Sequence, residues 1–124
     1  MDFRLKDARP IWQQLGEILT EGIVTGEYPP GGRFPSVREL AAQAGVNPNT
    51  MQRALSQLET ADLLVTNRTA GRQVTEDAAV LETTRRSLAE ARVADFLEAM
   101  EKLGYGPEEA AGLAARGKKE GSHE

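Results

Sequence analysis

Two helix starts lie eleven residues apart near the middle of the chain, Ser36-Val37-Arg38-Glu39 and Asn47-Pro48-Asn49-Thr50, with Gly45 between them. The first has the form of a capping box. Ser36 can accept from the amide of Glu39, and the Glu39 carboxylate can reach back to the amide of Ser36. In the second, Asn47 supplies the cap and Pro48 the first helical position, where a fixed φ suits the helix and the missing N–H costs nothing. Gly45 provides the left-handed residue that closes the earlier helix. Two short helices joined by so tight a turn predict a helix-turn-helix.

The flanking sequence supplies something for that pair to pack on. Ile11, Leu15, Ile18, Leu19 and Ile23 recur at helical spacing, which predicts a helix from Pro10 to Thr25 with its stop at Gly26. Tyr28-Pro29-Pro30-Gly31-Gly32 excludes helix and predicts an ordered loop. The second helix then runs from about Val37 to Ala44 with Val37, Leu40 and Ala41 inward. The third runs from Pro48 to about Ala61, with Met51, Ala54, Leu55 and Leu58 inward at spacings of three and four. After Asp62 the period changes. Leu63–Asn67 and Gln73–Thr75 read as short strands around the basic, glycine-bearing tip Arg68-Thr69-Ala70-Gly71-Arg72, a β-hairpin in the position of a wing.

From Asp77 to about Leu103 there is neither Pro nor Gly, and strong helix formers dominate, so one long helix is expected. Its apolar stripe includes Val80, Leu81, Leu88, Ala91, Phe96, Leu97, Met100 and Leu103, interrupted around Arg85 and Arg86. Gly104-Tyr105-Gly106-Pro107 ends it and starts a last helix to about Ala115. The fold class is therefore mainly α with a small β-hairpin. A winged helix-turn-helix domain over residues 1–76 precedes a two-helix dimerisation region over 77–116 and a disordered tail over 117–124. A two-helix appendage too small to hide its own stripe needs a partner, and pairing with a second copy is the commonest solution. Leu88, Phe96, Leu97, Met100 and Leu103 are the residues expected at that dimer interface.

Composition narrows the function. The chain has no cysteine, and its one histidine, His123, sits in a Gly-, Lys- and Glu-rich tail. There is no phosphate loop and no carboxylate pair in a credible cleft, so an enzyme is not expected, nor a metal or other cofactor. Met1–Pro10 lacks the apolar core of a signal peptide, and no apolar run approaches the ~20 residues that span a bilayer. A cytoplasmic protein without a membrane partner is the expectation. The formal charge of −4 runs against the usual basic footprint of a nucleic-acid binder, but it is unevenly spread. Eight cations balance eight anions over residues 1–75, whereas seven face eleven over 76–124.

In a helix-turn-helix the second helix enters the major groove of duplex DNA. That places Asn47, Asn49, Thr50, Gln52 and Arg53 within reach of it. Asn and Gln can pair bidentately with adenine and Arg with guanine. Arg38, at the start of the preceding helix, faces the same side, and Arg68, Gly71 and Arg72 around the wing tip suit the backbone or minor groove. The acidic balance keeps one alternative open, a winged-helix protein-interaction module without specific DNA binding.

The segments Pro10-Ile11-Trp12-Gln13-Gln14, Gly26-Glu27-Tyr28, Pro30-Gly31, Phe34-Pro35-Ser36-Val37-Arg38-Glu39-Leu40-Ala41, Gly45-Val46-Asn47-Pro48-Asn49-Thr50 and Leu58-Glu59 together resemble the DNA-binding domain of GntR-family bacterial transcription regulators, over about residues 8–77. The short remainder is similar to the YtrA subfamily, which carries two dimerising helices in place of a large effector domain. The resemblance implies a homodimeric repressor, commonly of genes for membrane transporters, and two recognition helices related by a two-fold axis demand an inverted-repeat operator. Two departures stand out. Thr69-Ala70-Gly71-Arg72-Gln73-Val74 replaces the family's Gly-Lys-Gly-Thr-Phe-Val type of wing, and Pro48 and Gln52 stand where other subfamilies place arginines, which points to a different half-site. A small-molecule effector is left open, with Trp12, Tyr28, Phe96 and Tyr105 as the aromatic surface it could use.

Overall fold

A computed structural model describes the backbone of residues 2–121 and the side chains of residues 2–117. Five helices and one hairpin follow in the order α1 (Ile11–Val24), α2 (Val37–Ala44), α3 (Pro48–Thr60), β1 (Leu64–Asn67), β2 (Gly71–Val74), α4 (Ala78–Lys102) and α5 (Pro107–Gly121). The chain divides into two compact units, Met1–Arg85 and Arg86–Glu124.

In the first unit, α1 and α2 both pack on α3, which also meets β1. The core they enclose is built from Leu15, Leu19 and Ile23 of α1, Leu40 and Ala41 of α2, and Met51, Ala54, Leu55 and Leu58 of α3, closed by Leu63, Leu64 and Val74 of the hairpin. The inward residues of α3 are those its three-and-four spacing predicts, because that spacing keeps a single stripe on the α1 and α2 side. Val80 and Leu81 of α4 pack against the same core, so the unit continues into the first turns of that helix.

Local chemistry sets the boundaries. Gly45 closes α2 in the left-handed conformation at φ 68°, and the amide of Val46 reaches back to the Ala41 carbonyl at 3.1 Å. At the end of α3 the left-handed position falls on Asp62, at φ 63°. The amides of Asp62 and Leu63 bond the Glu59 and Leu58 carbonyls, each at 3.0 Å, which satisfies the last turn and swings the chain directly into the wing. Asp, like Asn, tolerates this conformation better than other side chains.

The hairpin is antiparallel with Leu64 opposite Val74, Val65 opposite Gln73, Thr66 opposite Arg72 and Asn67 opposite Gly71. Its open edge is not bare. Residues 31–34 run beside β2, where the Gly31 amide donates to Val74, the Val74 amide to Gly32 and the Phe34 amide to Arg72, at 2.8–2.9 Å. The breaker-rich loop therefore serves as a rudimentary third strand, and covering the edge removes a site for unwanted pairing. A second polar tie fixes the N-terminal segment. The buried Gln14 side chain accepts from the Lys6 amide at 2.8 Å and donates to the carbonyls of Asp7 and Arg9 at 3.0 and 2.8 Å.

In the second unit, α4 ends with Gly104 at φ 93°, and the Tyr105 amide bonds the Met100 carbonyl at 3.0 Å. Pro107 then starts α5, with Glu108 and Glu109 in its first turn where carboxylates complement the helix dipole. α5 runs to Gly121 rather than ending near Ala115, so its helical pattern carries through Gly117. His123 lies outside the described residues. α4 carries no buried residue over its length.

Candidate nucleic-acid interface

α3 is held with one side in the core and the other to solvent. Asn47, Asn49, Gln52 and Arg53 are exposed and Thr50 half-buried. The Asn47 carboxamide oxygen caps the helix, accepting from the Asn49 amide at 2.7 Å, which leaves its NH₂ group outward. Gln52 donates to the Ser56 hydroxyl at 3.2 Å, a bond along the same exposed face. The guanidinium of Arg53 lies over the Trp12 ring of α1, 4.2 Å from its centroid.

The start of α2 follows the expected cap in one direction only. The Ser36 hydroxyl accepts from the Glu39 amide at 3.2 Å, but the Glu39 carboxylate stays exposed and makes no return bond to Ser36, because full solvation is available to it there. Arg38 is exposed on this first turn and makes no ion pair among the described residues.

The wing cations divide into two kinds. Arg68 is exposed at the tip, where Asn67 organises the turn by accepting from the amides of Thr69 and Ala70 at 2.9 and 3.2 Å. Arg72 is not at the tip. Paired with Thr66 in the ladder, it sends its Nε and Nη2 to Glu59 of α3 at 3.1 and 3.0 Å. The Thr66 hydroxyl donates to the other oxygen of the same carboxylate. The hydrogen bond from Thr66, with that from Arg72, holds the Glu59 carboxyl below the usual glutamate range. Arg72 thus ties the wing to α3 in this structure. Gly71 occupies the left-handed region at φ 74° with open space where a Cβ would stand.

Between the start of α2 and the wing lies an open groove of about 320 Å³, lined among others by Arg33, Ser36, Val37, Thr66, Gly71 and Arg72. The structure therefore brings Gly71 and Arg72 together with the α2 cap. It also adds Arg33, exposed on the rudimentary third strand, to the cations of this side. Only its pairing with Gln73, which no local sequence signal announces, puts Arg33 beside the wing. Among the described residues no cluster of His, Cys, Asp or Glu could hold a metal ion, and no helix is long and apolar enough to cross a membrane.

Residues 12–74 match the family of bacterial regulatory proteins called gntR. The chain belongs to the GntR family. It is a transcriptional regulator carrying that family's DNA-binding domain, not an enzyme. GntR relatives of similar size align along most of it. The HTH-type transcriptional regulator YhcF of Bacillus subtilis is 34% identical over 109 residues, spanning 88% of this chain and 90% of that protein. The HTH-type transcriptional repressor YtrA of the same organism is 31% identical over 98 residues, spanning 79% and 71%. A GntR family transcriptional regulator from Listeria monocytogenes superposes with a TM-score of 0.79 at 35% identity, over 90% of this chain and 98% of that one. The DNA-binding domain of AraR, solved in complex with the operator ORE1, superposes with a TM-score of 0.52 at 26% identity, over 60% and 94%. The fold expected from the sequence, a winged helix-turn-helix followed by two C-terminal helices within the YtrA-type branch of the family, is the one observed.

Proposed function

We propose that this GntR regulator is a cytoplasmic homodimeric repressor that binds an inverted-repeat operator in double-stranded DNA. The observation that carries the reading is α3. Met51, Ala54, Leu55 and Leu58 anchor one side in the core, while Asn49, Gln52 and Arg53 stand exposed on the other, the residue types that read adenine and guanine edges. Arg38 on one flank and Arg33 and Arg68 on the other supply phosphate contacts, and Gly71 lets the wing backbone approach. Thr50 and the outward NH₂ of Asn47 reach the backbone at the start of α3. Arg72 acts through Glu59, setting where the wing sits.

The dimer is supported by what α4 leaves uncovered. Phe96 and Leu103 are exposed at 39% and 72%, and Leu88, Leu97 and Met100 are half-buried, so these apolar side chains remain available to a partner. A second copy related by a two-fold axis would cover it and present two reading helices to two half-sites. The name of the YtrA relative, a repressor, supports repression over activation. Electrophoretic retardation of a DNA fragment from the protein's own operon tests the site. Arg38→Ala is expected to weaken binding at least about ten-fold while leaving the oligomeric state unchanged. Undiminished retardation would remove Arg38 from the interface.

A further inference from the structure

Most arginines whose partners are defined lie against carboxylates: Arg9 on Asp7 and Glu17, Arg72 on Glu59, Arg85 on Glu82 and Arg86 on Glu90. Arg53 does not. It makes no ion pair or hydrogen bond among the described residues, and its guanidinium instead lies over the indole of Trp12 at 4.2 Å. A ring face attracts positive charge without taking up the directional N–H bonds that a carboxylate would occupy. The side chain is therefore steadied while its donors stay available. A long, freely rotating arginine loses rotamer entropy when it grips a ligand, and a group already held loses less.

We infer that Trp12 is a positioning residue for DNA recognition, a platform on α1 that holds the Arg53 guanidinium of α3 ready to donate to the DNA. The inference rests on the reading of α3 as the DNA-contacting helix. Trp12 lies outside the helix-turn-helix and need not touch DNA. It is half-buried, packed at the α1–α3 contact that also fixes the angle of α3. Arg53 is thereby distinguished from Arg38 and Arg68, which are exposed with no such support.

The test is a double-mutant cycle in the full-length protein. The probe is a short fluorescein-labelled duplex carrying the sequence that the wild-type protein selects from a random-sequence library. Trp12→Leu removes the π face and keeps an apolar side chain, Trp12→Phe keeps a smaller face, and Arg53→Met removes the cation. Trp12→Leu is expected to weaken binding about five-fold per reading helix, and Trp12→Phe to restore most of it. In the Arg53→Met background, Trp12→Leu should cost nothing further. Because Trp12 is the only tryptophan of the chain, Arg53→Met should also change the emission of the free protein while lowering its melting temperature by no more than a few degrees. Wild-type binding by Trp12→Leu, or losses that multiply in the double variant, would overturn the inference. Where Trp12→Leu does not fold, unchanged emission in Arg53→Met overturns it. A wild-type protein that selects no sequence and binds no duplex at about 50 mM salt would instead overturn the DNA-contacting assignment of α3 itself.

Discussion

Beside the core packing of Leu63, Leu64 and Val74, the wing is tied to α3 through the Glu59 carboxylate, and breaking that tie has a calculable cost. The Arg72 and Glu59 side chains are 20% and 31% exposed, 3.0 Å apart at the closest nitrogen and oxygen, so the pair is neither fully solvated nor deeply buried. Exposed pairs contribute up to about 1 kcal/mol and loss of a partner in a buried pair costs about 3–5 kcal/mol, so a coupling near 1 kcal/mol is expected here. For a compact unit spanning residues Met1–Arg85, about 1 kcal/mol corresponds to about 4–8 °C in melting temperature. Thermal unfolding of wild type, Glu59→Gln, Arg72→Met and the double variant, followed by circular dichroism at neutral pH, measures it. The single variants should each melt lower, and the double variant should lose no more than the worse single one. Additive losses, with a coupling below about 0.3 kcal/mol, would refute the account of Arg72 as a structural tie.

Acid should act on the same carboxylate. Thr66 and Arg72 depress the folded-state pKa of Glu59, so its contribution is complete above the ordinary glutamate pKa of about 4.3 and is lost as pH falls through the lower folded value. Glu59→Gln should flatten that part of the pH–stability curve below about pH 4, and an unchanged acid limb would count against it. Phe96→Glu, which places a charge in the exposed stripe of α4, is expected to convert a dimer to a monomer in sedimentation velocity and to weaken retardation of DNA with it. A variant sedimenting as wild type would move the interface elsewhere.

What the sequence disclosed was local and what it withheld was tertiary. The ends of α2 and α3 could be read because Ser36, Gly45, Asn47 and Pro48 act within four residues of themselves. The inward faces could be read because helical spacing forces them. The contact of Arg72 with Glu59 could not. Seen along the chain it is a wing-tip cation beside Gly71, and only the register opposite Thr66 turns it toward a glutamate thirteen residues away. Arg33 and Trp12 were hidden for the same reason, since one depends on pairing with Gln73 and the other on the packing of α1 against α3. The capping box was half right because a solvated carboxylate has little to gain from a return bond. The end of α5 was placed too early because Gly117-Lys118-Lys119 reads as a tail, although a glycine inside a helix costs only about 1 kcal/mol.

The exposed face of α3, presented twice by a symmetric dimer, is the surface proposed to read DNA. Sequencing the genomic fragments retained by the purified protein tests it most directly, because operator, symmetry and target genes are reported together. Enrichment of an inverted repeat with half-sites about one helical turn apart, or a multiple of it, is expected, with loss of that enrichment for Arg38→Ala. Enrichment of an asymmetric or directly repeated site, or none above background, would contradict it.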